Sequence, residues 1–119
     1  IGRGIMELWK RPDQLKAVVR ELASLVKSGR VAGGVLFVSS AARATVYANR
    51  CAGLRAIVGT CVEAVEQGIA AVGANVLIIE YNFQRLERML AMAQTLIETQ
   101  RAALPTIERE LSELKSCGY

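Results

Sequence analysis

Three short apolar runs dominate the chain: Val31–Val38 with its core VLFV, Leu54–Val58, and Asn75–Ile79. VLFV is apolar without alternation, which suits a strand covered on both faces rather than one with a wet side. Between the runs, apolar residues recur at spacings of three and four, the period of amphipathic helices. Leu15, Val18, Val19, Leu22, Leu25 and Val26 mark a helix opened by Pro12 and stopped at Ser28-Gly29, where Gly29 can adopt the left-handed cap conformation. Ser39 and Ser40 are good amino-terminal caps for a short alanine-rich helix over Ala41–Asn49, which Gly53 ends.

Val62, Val65, Ile69 and Val72 place a helix over Val62–Ala71, and Gly73 leads into the third strand. From Asn82 onward, Phe83, Leu86, Met89, Leu90, Ala93, Leu96 and Ile97 mark a long amphipathic helix. Pro105 starts a further helix carrying Ile107, Leu111 and Leu114, or kinks the one before it. The order α, β, α, β, α, β, α, α predicts an α/β fold whose parallel strands are joined by right-handed crossovers. Three parallel strands leave two open edges, so the sheet needs further strands or an oligomeric neighbour. Ile1–Leu8 offers only a poor fourth strand, because Gly2 and Gly4 weaken it.

The 119 residues, 52% of them apolar, fit one domain near the lower end of sizes that bury a useful core. The net charge is +4, but fifteen basic residues are interleaved with eleven acidic ones, and in the C-terminal helices they form a mixed solvated face. That pattern argues against a nucleic-acid stripe and suits small phosphorylated metabolites equally well. Cys51, Cys61 and Cys117 form no CxxC pair and there is no histidine, which argues against structural zinc and against a Cys/His nucleophile pair. Neither metal nor organic cofactor is expected. Free thiols, no apolar run long enough to span a bilayer and no signal-peptide profile predict a cytoplasmic protein without a membrane partner.

From Val38 the chain reads VSSAARATVYANR, then AGLRAI over residues 52–57, then VGANVLI over residues 72–78. This resembles the ribose-5-phosphate isomerase B and galactose-6-phosphate isomerase family, which shows CGTGIGMSIAANK, then GIRAAL, then NDANVLALG. Asn49, Gly53, Arg55, Ala56, Ala74, Asn75, Val76 and Leu77 match in place. The resemblance implies a Rossmann-like three-layer sandwich with a parallel sheet and long C-terminal helices. It implies one isomerase-like domain over residues 1–119, equivalent to the family's later portion. The family's first two strands, the first carrying an Asp-His pair, have no counterpart, so the chain reads as N-terminally truncated relative to the family.

The departures fall on the chemistry. The family's catalytic cysteine, which moves a proton between adjacent sugar carbons, corresponds to Val38, a side chain with nothing to ionise. Its glycine-rich anion loop corresponds to Ser39, Ser40, Ala41, Ala42 and Arg43, whose side chains hinder close backbone approach. Its His-Asn pair corresponds to Ala71 and Val72, and its phosphate-gripping GGRHxRR tail has no clear match in residues 102–109. No catalytic residue is therefore assigned. The expectation is a degenerate isomerase-like protein acting as a structural, interaction or metabolite-binding subunit, as a homodimer. The alternative is an active aldose-ketose isomerase whose site is rewired or completed by a partner.

Ser39, Ser40 and Arg43 at a strand-to-helix junction could hold a phosphate or other anion, or be an ordinary cap with a surface arginine. Thr60 and Asn82 follow the second and third strands on the carboxyl rim where open parallel sheets bind ligands, and could complete a cleft for a phosphorylated sugar. They serve equally as turn and cap residues. Cys61 opens a helix but has no base nearby in sequence. Glu80 could act as a base but lacks a carboxylate partner, and Trp9 suits packing or an interface better than a cofactor.

Overall fold

The computed structural model describes residues 14–99 and 105–115. The expected edge strand at Ile1–Leu8, the start at Pro12, Trp9 and Cys117 lie outside them. The elements are α1 (Leu15–Lys27), β1 (Gly34–Val38), α2 (Ala41–Asn49), β2 (Ala56–Val58), α3 (Val62–Val72), β3 (Val76–Glu80), a single 3-10 turn (Tyr81–Phe83), α4 (Leu86–Glu98) and α5 (Pro105–Lys115). All three strands are parallel in the order β1-β3-β2, so the last strand in sequence is the central one.

Because successive strand residues face opposite ways, an apolar run must be covered twice. Leu36, Ala56, Val76 and Ile78 point to one face, where α1 supplies Leu15, Val18, Val19 and Leu22 and α2 supplies Ala41, Ala44 and Ala48. Val35, Phe37, Leu77 and Ile79 point to the other, against Val65 and Ile69 of α3 and Met89, Met92 and Leu96 of α4. The result is the expected helix-sheet-helix sandwich with a parallel sheet. α5 carries Leu111 and Leu114 exposed.

Local chemistry explains most boundaries. Ser40, extended, places its hydroxyl to accept the Arg43 N–H at 3.5 Å and so caps α2. Gly73 closes α3 in the left-handed conformation, φ 62°, its N–H donating to the Ile69 carbonyl at 2.9 Å. β2 begins two residues later than the apolar run suggests. The Arg55 N–H is drawn instead to the Asn75 side-chain oxygen at 2.8 Å.

Asn75 is the one buried polar residue among those described, and its bonds tie three segments together. Besides accepting from Arg55, its amide donates to the Gly53 carbonyl at 2.8 Å, and its own carbonyl accepts from the Gly34 N–H at 3.0 Å. Gly33 lies so close that a Cβ there would stand 1.9 Å from the Asn75 carbonyl oxygen, a distance only glycine allows. Asn49 does not cap the end of α2, the role its position suggests. Its side chain accepts from the Ala56 N–H at 2.8 Å and donates to the Ala56 carbonyl at 3.0 Å. A carboxamide thus occupies backbone groups of β2, one of the two edge strands among the described residues.

Candidate functional site

The carboxyl ends of the three strands define the rim on which the expected site lies. β1 ends at Val38, β2 at Val58 and β3 at Glu80, and the residues that leave them are Ser39, Gly59 and Tyr81. Since β3 is central, Ser39 and Ser40 leave the strand on one side of it and Thr60 the strand on the other, with Asn82 following β3 itself. Ser39, Ser40, Arg43, Thr60 and Asn82 are all exposed on this rim.

The register pairs Val38 with Glu80, so the position that the resemblance assigns to a reactive cysteine has a carboxylate as its direct neighbour. That carboxylate is engaged. Glu80 Oε1 accepts a hydrogen bond of 2.7 Å from the N–H of Ala41, the first residue of α2. The amino end of a helix carries unpaired N–H groups and a positive end of the backbone dipole, so it draws a negative oxygen. Here the oxygen comes from the chain itself. Ser40 takes a second of these amides, that of Arg43. Val38 is half-buried and packs with the α1/α2 side of the core.

A separate cleft of about 510 Å³ opens farther along the rim, lined by Cys61, Val62 and Glu63 at the start of α3 and by Arg85, Glu87 and Arg88 at the start of α4. None of the five expected ligand residues lines it. Gln84 links the two loops concerned, donating to the Gly59 carbonyl at 3.4 Å. At the opposite, amino-terminal edge of the sheet, Arg55 donates through Nε to the Gly73 carbonyl at 2.8 Å. Burial lowers the Arg55 pKa, an effect the charge of Glu108 on α5 opposes.

Sequence reasoning placed the five rim residues on the right edge but missed what occupies it. The contact between Glu80 and Ala41 spans 39 positions, and no local spacing announces it. A partial signal existed: Val38 is the last residue of one apolar run, and Glu80 directly follows another. The arginines of the second cleft follow an irregular turn and carried no motif.

No protein-family model matches the sequence, and no curated protein matches it by sequence. Solved structures do match. The chain is similar to ribose-5-phosphate isomerase B of Clostridium thermocellum, with TM-score 0.75 and 20% identity over 88% of this chain and 72% of that one. The Thermotoga maritima ribose 5-phosphate isomerase gives 0.72 and 17%, covering 84% and 68%. The ribose-5-phosphate isomerase B of Mycoplasma genitalium, with bound ribulose-5-phosphate, gives 0.71 and 15%, covering 90% and 70%. What is shared at these identities is the fold: this chain has the α/β architecture of the type B ribose-5-phosphate isomerases. Among the described residues no helix is long and apolar enough to cross a membrane.

Proposed function

We propose that this chain is a catalytically silent relative of the sugar-phosphate isomerases, acting in the cytoplasm as a structural, interaction or metabolite-binding subunit and as a homodimer. One observation supports the reading: at the exit of β1, Val38 stands where the resemblance implies a reactive cysteine, and the adjacent carboxylate of Glu80 is committed to the first amide of α2. Moving a proton between neighbouring sugar carbons needs a base free to reach the substrate, and a developing oxyanion needs unoccupied donors. Val38 supplies no base, and Glu80 takes one of the donors. The test is conversion of ribose 5-phosphate to ribulose 5-phosphate by purified protein. No turnover above the uncatalysed rate is expected, and measurable turnover rejects the proposal in favour of an active enzyme with a rewired or partner-completed site.

A second reading keeps the ligand and drops the reaction. The Mycoplasma genitalium neighbour holds ribulose-5-phosphate, and in this chain Ser39, Ser40, Arg43, Thr60 and Asn82 present hydroxyl, guanidinium and amide groups on the carboxyl rim. A phosphate seated on the Ala41 amide would share or displace the Glu80 contact. Calorimetric titration of the native chain and of a Ser40→Ala, Arg43→Ala double variant decides this, since heat unchanged by the substitutions rejects the site.

A further inference from the structure

Four charged side chains open onto the 510 Å³ cleft between α3 and α4, and none of them is paired. Glu63 is the second residue of α3 and forms one wall. Arg85, the extended residue before α4, and Glu87 and Arg88 in its first turn form the other. Arg85 and Arg88 lie three positions apart, the spacing that brings side chains to one side of a turn. Among the described residues none of the four makes an ion pair or a side-chain hydrogen bond, although two carboxylates and two guanidinium groups share one space. Val62 and the Cys61 thiol, both half-buried, complete an uncharged strip.

The walls are fixed in advance. Val65 and Ile69 of α3 share a core cluster with Met89, Met92 and Leu96 of α4. Gly59, at the entry to α3, donates its N–H to the Ile78 carbonyl at 2.8 Å and accepts from Gln84, next to Arg85, at 3.4 Å. A ligand therefore has little of the protein left to order.

The volume falls within the range of about 300–1,000 Å³ that small-molecule sites occupy. Its lining charges cancel, so a polyanion meets as many carboxylates as guanidinium groups, and a polyamine the reverse. A molecule of both signs escapes this. Guanidinium forks match carboxylates two bonds at a time, and a carboxylate accepts readily from an ammonium group. We infer that the cleft binds a small zwitterion of dipeptide size, its carboxylates on Arg85 and Arg88 and its ammonium group on Glu63 across from them. Val38, Glu80 and the five rim residues take no part, so this site and the silent-isomerase reading stand or fall separately.

The test is calorimetric titration at low ionic strength with glycyl-L-glutamate, set against its N-acetylated form and putrescine, which each carry one sign of charge. The native chain binds the dipeptide one to one and each of the other two at least about threefold more weakly, within the range exposed ion pairs contribute. Glu63→Gln weakens dipeptide binding by about threefold and the Arg85→Ala, Arg88→Ala double variant by about tenfold. All three residues are exposed, and circular dichroism checks that each variant keeps its fold. Bound dipeptide also slows alkylation of Cys61 by iodoacetamide, read by mass spectrometry of the labelled peptides, while Cys51, packed on the other face of the sheet, reacts at an unchanged rate. No binding, equal affinity for the acetylated form or putrescine, affinity unchanged in the variants, or binding that leaves Cys61 unprotected each overturns the site.

Discussion

Replacing Glu80 separates the two things its carboxylate does. The 2.7 Å bond to the Ala41 N–H is charge-assisted and sits at the first turn of α2, where such a bond contributes about 1.5–3 kcal/mol when well shielded. Glu80 is only half-buried, so the lower end applies: Glu80→Ala should cost about 1–2 kcal/mol. Glu80→Gln keeps an acceptor and loses only the charge, so about 0.5–1 kcal/mol is expected. In urea titrations the midpoint should fall with the slope unchanged. Anion affinity should move the other way. A phosphate placed on the same amides would lie about 4 Å from the carboxylate, where like charges repel by about 1 kcal/mol in water and about 4 kcal/mol near a protein surface. Removing that charge should therefore tighten binding of inorganic phosphate or ribose 5-phosphate by about fivefold or more in calorimetric titration. The reasoning fails if Glu80→Ala is as stable as the native chain, or if Glu80→Gln binds phosphate no better.

Three further substitutions probe the frame. Asn75→Ala leaves the Arg55 N–H without its partner, at about 1–3 kcal/mol, and the Gly53 carbonyl with only the 3.4 Å bond from Arg55 Nη1, so urea unfolding should show a loss of about 2–4 kcal/mol. Gly33→Ala drives a methyl into the Asn75 carbonyl and should cost more than about 3 kcal/mol by thermal melting, whereas Gly29→Ala, with open space around it but φ 78°, should cost only about 1–2 kcal/mol. Asn49→Ala uncovers the Ala56 N–H and carbonyl on the outer side of β2 and should lower stability by about 1–2 kcal/mol while raising light scattering on heating.

Elements set by nearby residues were legible in the sequence. Ser40 announced the start of α2, Gly73 the end of α3, and Pro105 the start of α5, because caps and breakers act within a few positions. The start of α4 was misjudged by four residues, since Tyr81–Phe83 form a tight turn and Gln84 and Arg85 are extended before Leu86. The central place of β3 could not be seen, because strand order is decided by which edges meet, not by any run taken alone. The bonds of Asn49 could not be seen for the same reason: its partner is seven residues away, on another element. The rim was located through the order of elements, but whether it was vacant depended on Glu80, 39 residues from the amide it holds.

The alanines of α2 set a spacing as well as a packing surface. Ala41, Ala44 and Ala48 press bare methyl groups against the sheet, so the helix rides as low over it as side chains permit. A bulkier residue at Ala44, fully buried and one turn behind the first amide, would act as a wedge, lifting the helix tip away from the strand below. Drift in these methyls would therefore unseat the acidic oxygen without any substitution at the rim itself.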